Sequence, residues 1–173
     1  TDLVTLDAMQ ERLTLTRQMR RAGLGRWQLN NIFSAPQQIR TSFDLMSREN
    51  ERDWAHIAGR LANVPGAIDG FIQTLEAARA EGKVSPRRQV QIVIEQAEAY
   101  IADGGFFDAL AAEITAAAPA ITEQAREGAQ AAKDGYRVLI TYLRDTLLPE
   151  APSKDAVGRE LYTLYSRESL GAS

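Results

Sequence analysis

The chain has 173 residues, of which 45% are apolar and 25% charged, with a net charge of −3. This length suits one domain with a sizeable buried core, and the interspersed acids and bases leave no basic stripe for nucleic acid or an anionic membrane. The absence of cysteine excludes disulfide staples and thiolate metal sites, and no apolar run approaches the roughly 20 residues that span a bilayer.

Apolar spacing follows the helical period almost throughout. Val4, Leu6, Met9, Leu13 and Met19 mark a first helix from about Leu6 to Ala22, closed by Gly23 and Gly25. The segment Trp27 to Phe33 reads equally as a short helix or an extended connector. Ser34 and Gln37 match a capping box with Pro36 in the first turn, so a second helix opens there with Ile39, Phe43 and Met46 on one face. A third starts near Asn50 and turns Trp54, Ile57, Ala58 and Leu61 inward, until Asn63-Val64-Pro65-Gly66 breaks it.

Ile68, Phe71, Ile72 and Leu75 give the fourth helix the clearest stripe, with Gly82 as its stop. Ser85 and Pro86 look like the N-cap and first residue of a fifth helix, which Asp103-Gly104-Gly105 closes. A sixth carries Phe106, Phe107, Leu110 and Ile114. A long helix follows, near residues 120–148, about 43 Å in length, its first half burying mostly alanine. Pro149 and Pro152 are expected to end it. A last helix from about Asp155 carries Val157, Leu161, Leu164 and Tyr165. The expected fold is all-α: a single domain over residues 1–173, an irregular antiparallel bundle of about seven to eight helices.

Side chains that carry chemistry are sparse. His56 is the only histidine, so neither a two-histidine zinc motif nor a second element of a four-helix di-metal site can be assembled. Glu95 and Glu98 stand three apart on the fifth helix, and Glu123 with Glu127, alternating with Arg126, reads as a solvated face. No catalytic residue and no metal ligand is assigned. Lys83, Arg87 and Arg88 form the densest basic cluster, flanking a helix N-terminus that attracts anions, and are candidates for an anion site. Arg159, Tyr162 and Tyr165 make a mixed basic and aromatic strip on the last helix. Of these, Arg159 and Tyr162 are candidates for contact with a substrate groove, Arg159 through its planar fork.

One block is specific enough to suggest a family. It runs Leu143-Arg144-Asp145, Leu148-Pro149, Ala151-Pro152, then Lys154-Asp155-Ala156-Val157-Gly158-Arg159-Glu160, with Tyr162 and Leu170-Gly171. Asp44-Leu45-Met46, Asp53-Trp54, Val64-Pro65, Arg87-Arg88-Gln89-Val90 and Phe106-Phe107 keep the same order upstream. The chain resembles the bacterial domain-of-unknown-function 885 family. The resemblance implies a longer, mainly helical protein similar to zinc metallopeptidases. Its metal site would be a His-Glu-x-x-Pro-Gly-His motif in the C-terminal half, using Lewis-acid activation of water.

This chain contains no His-Glu pair. Its start, Thr1-Asp2-Leu3-Val4-Thr5, shows neither an initiator Met nor a signal peptide. It is therefore expected to be an interior portion of such a protein, without cofactor of its own, with zinc belonging to the full-length parent. Its expected partners are the remainder of its own polypeptide, a peptide substrate of the parent, and another copy by self-association. A cytoplasmic location is the default. The alternative expectation is a self-contained helical scaffold or protein-interaction module with no enzymatic role.

Overall fold

A computed structural model describes residues 2–21, 23–24, 27–155 and 158–170, and among them every regular element is helical. In order they are α1 (Asp2–Arg21), α2 (Ala35–Ser42), α3 (Glu51–Ala62), α4 (Val64–Ala80), α5 (Arg87–Ile101), α6 (Phe106–Ala117), α7 (Thr122–Tyr142), α8 (Leu148–Glu150) and α9 (Gly158–Leu170). A 3₁₀ turn, Pro119–Ile121, leads into α7, and a π-helical stretch, Leu143–Leu147, joins α7 to α8.

The molecule is organised around α7, which packs on α3, α4, α5 and α6. Its small residues make this possible. A Cβ added at Gly128 would lie 3.0 Å from the Ala58 carbonyl oxygen, and one at Gly135 would lie 3.0 Å from Pro65 Cα. Helix backbones approach closely only where such side chains are absent. Below the small residues, α7 presents Tyr136, Leu139 and Ile140 to the core. Tyr136 is fully buried among Phe107 and Tyr100, with ring centroids 5.2 and 5.9 Å away. Its hydroxyl donates to the Pro36 carbonyl at 2.6 Å, which supplies the partner a buried phenol needs.

Lys133, also on α7, is buried, and its ammonium donates to both Asp108 oxygens at 2.8 and 2.9 Å, tying α7 to α6. The lysine holds the Asp108 carboxyl below the usual carboxylate range.

Several local expectations change in the folded chain. The helix through Tyr142 does not stop at Pro149. Proline lacks an N–H, and its ring clashes with the carbonyl four residues earlier. The turn widens into the π stretch, and the helical path continues to Glu150. Asn63 to Gly66 is not an open break either. α4 begins at Val64, one residue after α3 ends, with Pro65 in its first turn where no N–H is required.

The Ser34–Gln37 capping box is present, and Asn50 caps α3 by accepting the Asp53 N–H at 3.1 Å. Gly82 closes α4 with φ of 72°, while α5 ends at the extended Ala102 and Gly104, φ 70°, sits in the turn that follows. The described part of α9 is Gly158–Leu170. Gly25 and Val157 lie outside the described residues.

The helix marked by Val4, Leu6, Met9 and Leu13 is present as α1, and these four side chains are 73%, 50%, 59% and 59% exposed. The buried position is Leu15, and α1 rests on α9 with Arg167 bonded to Glu11.

Candidate functional site

Ser85 was expected to cap α5, but Pro86 holds that position. The Ser85 hydroxyl instead accepts the Leu29 backbone N–H at 2.8 Å and donates to the Trp27 carbonyl at 3.2 Å. This settles the Trp27–Phe33 segment as a non-helical connector laid across the start of α5. On the other side, the Arg87 N–H donates to the Pro152 carbonyl at 2.9 Å, pinning the link that leaves α8. Two irregular strips of chain are thus tied to one helix start. α9 closes over them, with the Tyr165 hydroxyl donating to Gln28 Oε1.

These strips enclose a cavity of about 450 Å³. Val84, Pro86, Pro152, Leu161, Trp27 and Tyr165 supply its apolar and aromatic walls, while Gln28, Gln89 and Lys154 bring polar groups. The size and lining fit a small-ligand or side-chain site. Burial raises the Tyr165 phenol above its ordinary value.

Trp27 Nε1 and Gln89 Oε1 are buried without a hydrogen-bond partner. Leaving a buried polar atom unpaired costs about 1–3 kcal/mol, so each of these atoms gains from any water or ligand group that reaches it. The Trp27 indole also walls a neighbouring depression of about 390 Å³ that includes Gly23, Gly70 and Lys83.

The basic candidates do not converge. Arg87 and Arg88 stand exposed at the head of α5, with Arg88 Nη1 3.7 Å from Asp155 Oδ2 at the cavity rim. Lys83 belongs to the neighbouring depression and is paired with Glu81 at 2.7 Å. The α5 N–H best placed for an anion, that of Arg87, is taken by Pro152.

Arg159 and Tyr162 are exposed on α9, Tyr162 to 66%. The cavity itself is lined by their neighbours Leu161 and Tyr165. Trp27, Gln28, Gln89 and Leu161 were missed as site residues. Only Tyr165 carried a signal, through its place in the aromatic strip.

A second polar group braces the approach to the link. Arg79 bonds Glu76 and Glu150, and Tyr142 bonds Glu76 at 2.9 Å. The Arg79 guanidinium, with help from Tyr142, brings the Glu76 carboxyl down to about 2. Burial, reinforced by Glu76, pushes the Tyr142 phenol up to about 12.

A catalytic zinc does not fit the residues present. His56 is exposed on α3, and among the described residues no three His, Asp or Glu side chains are grouped to hold a metal ion. Of the four carboxylates weighed from the sequence, Glu98 bonds Arg144 and Glu123 bonds Arg126. No described helix is long and apolar enough to cross a membrane.

A family model described as "Bacterial protein of unknown function (DUF885)" matches residues 1–173. No curated protein matches the chain.

Proposed function

We propose, because the chain belongs to the DUF885 family of bacterial proteins, that it is the non-catalytic helical portion of a zinc metallopeptidase-like protein. Its role is to scaffold that protein and to form one wall of the substrate groove. The observation that carries this reading is the cavity between the start of α5 and α9, with its aromatic walls and its unpaired Gln89 carboxamide. A peptide offers matching chemistry: a side chain for the apolar walls and a backbone N–H for the carboxamide oxygen. That oxygen is covered, so an entering peptide satisfies it with a change of Gln89 rotamer. Arg159 and Tyr162 are exposed beside Leu161, and on this reading a longer substrate meets them beyond the cavity. Zinc chemistry, on this reading, belongs to the remainder of the parent polypeptide.

The test is peptide hydrolysis by the full-length parent with and without zinc. Hydrolysis that survives complete metal removal overturns the zinc assignment. Arg159→Ala and Tyr162→Phe are expected to raise KM, and unchanged KM values remove both residues from the groove.

A second reading, a helical interaction module without enzymatic role, is favoured by one feature. Ile32, Phe33 and Leu45 are 77%, 71% and 83% exposed and border an apolar groove beside α2. This reading predicts no hydrolysis by the parent under any metal condition.

A further inference from the structure

Among the described residues, α1 has two apolar faces and packs one of them on α9. Ala8, Leu15 and Met19 face α9, where the Arg167–Glu11 pair holds the helix down. Leu6, Met9 and Leu13, spaced three and four apart, line the other side and are at least half exposed, with Leu3 at its upper edge. The same seam is electrically polar along its length. Asp2 stands exposed at its start, and Arg17 and Arg20 stand exposed at its end.

We infer that this face pairs antiparallel, across a two-fold axis, with α1 of a second copy of the chain. The charge pattern selects both the occupant and the direction. When Leu6 lies opposite Leu13 of the second copy, Met9 falls beside the axis. Asp2 then lies opposite Arg17 of the second copy, and both relations occur twice by symmetry. A parallel pair would set Arg17 against Arg17 and Arg20 against Arg20, which like-charge repulsion opposes. The seam is therefore self-complementary in one orientation only. A single pair of helices about 30 Å long lies at the small end of specific interfaces, so the association is weak, reversible and salt-sensitive. It is independent of the α5–α9 cavity.

Sedimentation of the whole chain, from about one to several hundred micromolar, reads the association directly. The mass is expected to rise toward twice that of the chain and to fall back in high salt. Leu6→Glu with Leu13→Glu is expected to abolish dimerisation. Asp2→Arg alone, or Arg17→Asp with Arg20→Asp, is expected to weaken it about tenfold, and combining all three restores it. Circular dichroism confirms that α1 stays helical in each variant. With no native cysteine, Met9→Cys is expected to cross-link the pair. Leu3→Cys is not, because its two copies then lie about 20 Å apart along the seam. A monomer at every concentration, dimerisation unchanged by the leucine variants, failure of the triple variant to recover, or equal cross-linking through Leu3→Cys overturns the proposal.

Discussion

The Ser85 hydroxyl and the Leu29 backbone N–H meet at 2.8 Å across 56 residues of chain. This one contact decides where the connector lies, and with it the floor of the cavity. In Ser85→Ala the Leu29 N–H stays buried without an acceptor, at a cost of about 1–3 kcal/mol. Urea unfolding is expected to show that loss, and hydrogen exchange to show the Leu29 amide losing protection while the α7 core keeps its own.

Glycines in the helices separate by what surrounds them. Replacing a helical Gly by Ala ordinarily gains about 1 kcal/mol. Gly59→Ala, with nothing within 4 Å of the new Cβ, is expected to raise the melting temperature. Gly128→Ala puts a Cβ 3.0 Å from both the Ala58 carbonyl oxygen and Leu61 Cβ. It is expected to destabilise despite the same gain in helix propensity.

The Lys133–Asp108 pair is asymmetric in burial, the lysine side chain 9% exposed and the aspartate 37%. Asp108→Ala leaves the buried lysine without its acceptor, at a cost of about 1–3 kcal/mol. Lys133→Met leaves only a carboxylate that water can reach, so its unfolding midpoint should fall by much less. Equal losses in the two variants contradict this account.

The Glu76 carboxyl, held down to about 2 by Arg79 and Tyr142, sets an acid limit. Its folded value lies below its unfolded one. Its contribution to stability is therefore complete above the ordinary carboxylate range, about 4, and disappears as pH falls toward 2. Glu76→Gln is expected to be less stable than the parent chain at pH 7 and indistinguishable from it near pH 2, by thermal unfolding across that range.

The helices were legible because a buried stripe repeats with the helical period and a stop such as Gly82 is a glycine with positive φ. What was not legible depends on distant chain. The period of α1 reveals an apolar face at Leu6 and Leu13 but not whether anything covers it. Ser85 before Pro86 has the local form of a cap. Only the folded connector shows that its hydroxyl is engaged by Leu29. Pro149 reads as a stop because the widened turn before it, which packs on α5, leaves no mark in the linear sequence. The cavity combines residues near positions 28, 86, 153 and 163, and no spacing in a linear sequence marks that combination. Arg159 and Tyr162 were legible as an exposed strip. Tyr165 was legible as part of that strip, while Leu161, which also lines the cavity, looked like core.

Trp27 offers the most direct measurement of the cavity's role, since Trp54 is the only other tryptophan. In a Trp54→Phe background, short peptides with apolar side chains are titrated while Trp27 fluorescence is followed. The account predicts a saturable change that Leu161→Asp abolishes without unfolding the chain, and that Gln89→Leu weakens while leaving stability equal or higher. Fluorescence that stays flat to millimolar peptide, or a response that Leu161→Asp leaves intact, would contradict the claim that this cavity is part of a substrate groove.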